Sequence, residues 1–148
     1  MIKLFTDGSC LSKKGSVGAA YAIFRDSKLL ELLGVPMHKG NPHNSEIMAA
    51  LLGLKACISY AEDNEQIIVI SDSKLLVNGM ARCESFAGHV GGSNYALWKV
   101  LASIIEELRM RGCIITSMFV RGHNGNVGNL LCDRAARTAA ESHWYIRG

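Results

Sequence analysis

Four carboxylates in this 148-residue chain sit among neighbours that an ordinary surface acid does not have. Asp7 follows Ile2, Leu4 and Phe5 inside the stretch FTDGSC. Glu46 heads a run in which the next eight residues, IMAALLGL, are all apolar or Gly. Asp72 ends the apolar segment IIVIS, and Asp133 lies in the last helical pattern with Ala135 and Ala136 after it. A buried, unpaired carboxylate is costly, so such a group is paired, exposed at an element end, or bound to a cation. Taken singly, each has an ordinary explanation: a turn or cap residue for Asp72, a favourable acid at a helix N-terminus for Glu46, a surface ion pair for Asp133. Four acids on elements whose ends can converge point elsewhere. Clustered carboxylates repel, and hard oxygen ligands suit Mg²⁺. Two such ions, about 3.5–4 Å apart, clamp a phosphodiester for in-line attack by water. That chemistry needs acids rather than a protein nucleophile. The chain has neither G-x-S-x-G nor a P-loop, and Ser9 stands where an Asp nucleophile would need its partner acid.

The elements that would position these acids can be read from apolar periodicity. Residues 2–7 predict a first strand ending at Asp7, Val17 to Phe24 a second and Lys28 to Val35 a third, with Asp26-Ser27 as a tight connection. These three form an antiparallel meander. Asn44-Ser45-Glu46 opens a helix that runs to about Ala61, with Asn or Ser as its cap and Glu46 in its first turn. Ile67 to Ile70 is an unbroken apolar run, the mark of a strand covered on both faces. Residues 73–81 predict a short helix, 84–94 a glycine-containing loop, 95–111 an amphipathic helix, Ile114 to Val120 the last strand, and Asn126 to Glu141 a final helix. The order β-β-β-α-β-α-α-β-α implies an α/β fold with a mixed sheet and helices on its faces. Asp7 and Asp72 then fall at the carboxyl ends of parallel neighbours, the edge at which such sheets bind ligands.

Composition narrows the class. The chain is long enough for one domain, 1–148, with a core of ordinary size. It is 49 % hydrophobic and 20 % charged, which excludes a disordered chain. A net charge of +3 permits a nucleic-acid partner without demanding one. The five cysteines, Cys10, Cys57, Cys83, Cys113 and Cys132, form no C-x-x-C and read as reduced thiols of a cytoplasmic protein. Lys3 and Asp7 come too early for a signal segment, and the run from Ile47 to Leu54 is too short to span a bilayer, so no membrane partner is expected.

Four segments, FTDGSC at 5–10, NSEIMAAL at 44–51, ISDSKLLVNGM at 70–80 and VRGHNGNVGNLLCDRAAR at 120–137, resemble in order and spacing the signature segments of type 1 ribonuclease H. The resemblance covers residue 3 to about 140. It implies a ribonuclease H-like fold, with a five-stranded mixed sheet in the order 3-2-1-4-5, strand 2 antiparallel, and helices on both faces. It implies endonucleolytic hydrolysis of the RNA strand of an RNA–DNA hybrid, with two Mg²⁺ ions or Mn²⁺ as substitute, leaving 3′-hydroxyl and 5′-phosphate ends. By position, Asp7 corresponds to the acid bridging both ions, Glu46 and Asp72 to the ligands of one, and Asp133 to a ligand of the other. His123 matches a loop histidine that assists proton transfer or product release, work that suits an imidazole titrating near neutrality. For substrate binding, the candidates are Gly8, Ser9, Cys10, Asn44 and Lys74, placed to sense the 2′-hydroxyl, and Asn94, which matches a contact to the DNA strand. A monomer is expected.

The chain departs from the family pattern in two places. Asn41-Pro42-His43-Asn44 replaces adjacent asparagines, and residues 81–97, where well-studied bacterial members carry a Lys-rich protrusion, hold Arg82 as their only Lys or Arg. Lys13, Lys14 and Arg121 compensate in part. Trp98 and Trp144 are expected to pack rather than stack on bases. The alternatives are another polynucleotide-processing nuclease of the same fold and a non-catalytic hybrid-binding module. The His123 segment speaks against the first. Four intact acids speak against the second, because binding phosphates favours fewer negative charges. Grafting a Lys-rich loop in place of Glu84 to Asn94 is predicted to tighten hybrid binding and steepen its decline with salt, by about one unit of log–log slope per added phosphate contact. An unchanged slope and affinity in a salt titration would contradict this.

Overall fold

The computed structural model describes residues 1–11, 16–37, 40–82, 94–122 and 126–147, with side chains to Ser142. Lys13, Lys14, Cys83, the 83–93 segment and His123 lie outside the described residues, as does the side chain of Trp144. Three strands, β1 (Ile2–Leu11), β2 (Ser16–Arg25) and β3 (Lys28–Met37), form the expected antiparallel meander. The β2–β3 connection is Asp26-Ser27, both in the left-handed region at φ 48° and 70°, which matches the twist of a two-residue hairpin. Helix α1 (Pro42–Tyr60) leads to β4 (Gln66–Ser71), which joins β1 in parallel. Helices α2 (Lys74–Ala81) and α3 (Tyr95–Met110) precede β5 (Ile114–Phe119), parallel to β4, and α4 (Val127–Arg147) closes the chain. The sheet order is β3-β2-β1-β4-β5, as the resemblance implies.

Alternation along the central strands divides the core in two. Leu4 and Val69 face a larger core with Leu54 and Cys57 of α1, Leu76 of α2, and Leu101 and Leu108 of α3. Phe5 and Ile70, next in sequence, face a smaller core with Cys132 and Ala136 of α4. Burial on both faces is the reason IIVI reads as an unbroken apolar run. Trp98 packs against the larger core, as expected, over Gly79 of α2. The four described cysteines are free, and burial pushes the Cys57 thiol up to about 12. Among the described residues, no helix is long and apolar enough to cross a membrane.

Two boundaries differ from expectation. β1 does not end at Asp7: it continues to Leu11, paired with β2 alone, while its pairing with β4 stops at Phe5–Ile70. Asp7 therefore stands where β1 parts from β4 rather than at a strand terminus. Helix α1 begins earlier, at Pro42, with Asn41 as N-cap in a reciprocal capping box with Asn44. Proline suits a first helical position, where no N–H is needed. Glu46 consequently lies in the second turn.

Helix α4 lies close on the sheet because β2 and β3 present glycines beneath it. A Cβ on Gly18 would run into the carbonyl oxygen of Ala136, and one on Gly34 into that of Ala135. This close seat sets the height of Asp133 over β1. Gly18→Ala is predicted to cost about 1–3 kcal/mol in urea unfolding, the usual range for overpacking, because a helix backbone cannot rotate away as a side chain can. Wild-type stability in that variant would show that α4 shifts freely.

Candidate active site

The acids meet at the carboxyl edge of the β1–β4 pair. Asp7 comes from β1 and is only 5 % exposed, Glu46 from the second turn of α1, and Asp72 from the residue after β4. One carboxylate oxygen of each lies within 4.8 Å of the other two. Asp133 is outside this group of three; it carries an ion pair with Arg137 at 3.4 Å one turn along α4, yet it is near enough for its charge to act on Asp7.

The backbone holds two of these acids together. Gly8 N–H donates to Asp7 Oδ1 at 2.9 Å and to Glu46 Oε1 at 2.6 Å. This approach requires glycine, since a Cβ there would strike the Ser45 side chain and come within 2.8 Å of Glu46 Oε1. Glu46 Oε2 is buried and has no hydrogen-bond partner among the described residues. Ser71 Oγ accepts the Ser73 N–H at 3.0 Å and so shapes the backbone carrying Asp72. On the other side, a Cβ on Gly122 would lie 2.9 Å from Asp72 Oδ2, so the segment leading to His123 passes directly over that carboxylate.

Burial, then the charges of Glu46, Asp72 and Asp133, push the Asp7 carboxyl up to about 9, against the pull of the Gly8 N–H. Burial and Asp72 push Glu46 up to about 7. The opposite happens at the far end of the sheet. There Arg25 grips Glu65 at 2.7 and 3.0 Å and holds its carboxyl down at about 2. A divalent ion fits the site group: three carboxylate oxygens converge, and one further oxygen, Glu46 Oε2, is buried with no hydrogen-bond partner among the described residues.

An open cleft of about 520 Å³ begins at the acids and is lined by Gly8, Cys10, Pro42, His43, Glu46 and the Asp72–Leu75 segment. Of the candidate substrate contacts, Gly8, Cys10 and Lys74 line it. The Gly8 N–H is donated to the two carboxylates. Asn44 Oδ1 accepts the Asn41 N–H at 2.6 Å and is likewise committed. Ser9 is half-buried in the outer part of β1, and Asn94 precedes α3 at φ 66° with its side chain making no cap bond. His43 also lines the cleft, and its only signal in the sequence is its place three residues before Glu46.

The cluster makes a stability prediction. Asp7 and Glu46 hold protons more tightly folded than unfolded, since their values rise from 3.8 and 4.5 to about 9 and about 7. With both states protonated at low pH, the cluster costs nothing. As pH climbs from about 3.8 to about 9 the unfolded state ionises first, and cation-free stability falls. In chelator at pH 8, Asp7→Asn should melt higher than wild type, and the gap should shrink as pH is lowered to 5. Equal melting temperatures at both pH values would show that the acids do not repel.

The chain matches the RNase H family over residues 1–141. It is 31 % identical over 144 residues to the ribonuclease H of Campylobacter jejuni subsp. jejuni (strain 81-176), covering 94 % of this chain and 90 % of that protein. The fold is similar to the prototype foamy virus protease–reverse transcriptase, with TM-score 0.77 and 19 % identity, covering 94 % of this chain and 20 % of that one. It is also similar to the N-terminal RNase H domain of a Mycobacterium tuberculosis protein, with TM-score 0.72, 19 % identity and 100 % coverage of each chain. With the signature acids on the matched elements and the match running over nearly the whole sequence, the chain belongs to the RNase H family.

Proposed function

We propose that this chain, acting as a single-domain monomer in the cytoplasm, is an endoribonuclease. It hydrolyses the RNA strand of RNA–DNA hybrids and leaves 3′-hydroxyl and 5′-phosphate ends. The observation that carries this reading is the convergence of Asp7, Glu46 and Asp72 within 4.8 Å at the head of an open cleft. Family membership and the name of the Campylobacter jejuni relative support it. A module that only binds hybrid has no use for three acids held together against their own repulsion.

Asp7 would hold both of two divalent ions, Glu46 and Asp72 one of them, and Asp133 the other; Mg²⁺ is the expected ion and Mn²⁺ a substitute. Bound there, the ions supply the positive charge that activates water and stabilises the departing 3′-oxygen. The chain's own groups do the rest. Gly8 N–H fixes the directions of Asp7 and Glu46. Arg137 steadies Asp133. His123 accepts or returns a proton near the reacting phosphate, or eases product release. The backbone at Gly8, with Cys10 and Lys74, meets the RNA strand along the cleft, with the Ser9 hydroxyl and the Asn44 amide N–H groups as further contacts, and Asn94 meets a phosphate of the DNA strand.

The test is cleavage of a labelled hybrid beside matched duplex DNA and duplex RNA. Wild type should cut the RNA of the hybrid in Mg²⁺ or Mn²⁺. Asp7→Asn should abolish cleavage while hybrid affinity measured in Ca²⁺ persists. His123→Ala should slow turnover at saturating Mg²⁺ by about 10²-fold, within the usual range for general acid–base assistance, and more metal should not rescue it. A wild type that binds hybrid as well as Asp7→Asn but never cuts would make the chain a binding module.

A further inference from the structure

Lys74 is in an unfavourable place. It is the first residue of α2, directly after the N-cap Ser73, whose Oγ accepts the Leu76 N–H at 3.2 Å. The positive end of the helix macrodipole lies there and disfavours a cation. Among the described residues, the ammonium has an aromatic ring rather than a carboxylate as its partner: Nζ lies 5.4 Å from the centroid of Phe119. That separation is within the range of a cation–π attraction.

The ring is well anchored. Phe119 ends β5 and pairs with Ser71, the last residue of β4, and the next residue, Val120, donates its N–H to Ser71 O at 2.9 Å. The platform under Lys74 is thus fixed to the strand that delivers Asp72. Phe119 is 38 % exposed, more than a ring of that size needs to be if its task were only to fill core. Lys74 meanwhile lines the same cleft as Gly8, Cys10, Glu46 and Asp72.

We infer that Phe119 is a positioning residue for substrate: its ring holds the Lys74 ammonium at the cleft rim, where it takes a phosphate oxygen of the bound RNA strand. This rests on the hybrid-nuclease reading above and deepens it. A lysine stem has four rotatable carbons, and fixing its head on a ring lowers the ordering cost due when the strand arrives. The ring also gives the ammonium a resting place other than the acid group two residues away. A flat aromatic face suits this task, because the ammonium can tilt toward a phosphate without losing the ring.

A double-mutant cycle tests it. kcat and KM on labelled hybrid are measured in Mg²⁺ at several salt concentrations for wild type, Phe119→Leu, Phe119→Tyr, Lys74→Met and Phe119→Leu/Lys74→Met. Phe119→Leu should raise KM about two- to fivefold, the span of a partly exposed cation–π contact, with little change in kcat. Phe119→Tyr keeps the ring and should restore the wild-type KM. Lys74→Met should raise KM further and flatten the salt dependence by about one phosphate contact. In the Lys74→Met background, Phe119→Leu should add nothing. Phe119→Met, which keeps bulk without a ring, obeys the same expectations if the leucine variant folds poorly. Equal KM losses from Phe119→Leu with and without Lys74 would overturn the inference, as would a loss confined to kcat. A wild type that fails to cut hybrid removes the nuclease reading and this one with it; a wild type that cuts, with additive losses, removes this one alone.

Discussion

Mutual repulsion among Asp7, Glu46 and Asp72 is the constraint around which the rest of this molecule is arranged. Each acid arrives from a different element, and none can retreat. Asp7 is buried in a strand paired along its whole length with β2. Glu46 is drawn onto β1 by the Gly8 N–H. Asp72 is fixed by the end of β4 and overlain by Gly122. The fold tolerates a local charge cost because its two cores are built almost wholly of apolar side chains. Glu65 shows what this chain does with an acid whose role is structural: it supplies Arg25, and the carboxyl drops to about 2. At the site the charges that act on Asp7 are those of Glu46, Asp72 and Asp133, and Asp7 rises to about 9. The same protein treats two acids in opposite ways, and the difference is the case for a cation from solution.

Glycine does more than punctuate turns here. Gly8 lets α1 descend until a backbone N–H reaches two carboxylates. Gly18 lets α4 descend until Asp133 is close enough to act on Asp7. Both are approaches of one backbone to another element. Such approaches make the distance between acids a property of the sheet and helices rather than of flexible side chains, which is what a site needs in order to bind hard cations at fixed geometry.

Much of this was legible in the sequence because the signals were local. The unbroken IIVI run gave β4 and the Asp26-Ser27 turn gave the hairpin, while the four acids stood out against apolar neighbours. What escaped has physical reasons. The strand reading of 2–7 ends β1 too early because β2 keeps pairing past Gly8 and Ser9 to Leu11, a partnership that no local signal carries. The start of α1 was placed too late because Asn44 and Ser45 are both good caps; Asn41 wins by having Pro42 behind it and Asn44 to answer it. The Asn44 side-chain oxygen serves the helix cap, which leaves its amide N–H groups for the proposed substrate contact. The seat of α4 on Gly18 and the ring beneath Lys74 join residues more than forty positions apart, and no window along the chain contains both partners.

The central claim, that the acid group is built to bind divalent cations, is tested most directly by counting protons. Mn²⁺ is titrated calorimetrically into the metal-free protein at pH 7 in two buffers of different ionisation enthalpy. Because Asp7 and Glu46 rise to about 9 and about 7, Asp7 is protonated and Glu46 about half protonated at that pH, and a cation must displace those protons. The account predicts saturable binding with release of more than one proton, release that declines as the pH is raised to 9, and loss of tight binding in Asp7→Asn. Binding without proton release, or equal binding by Asp7→Asn, would contradict it.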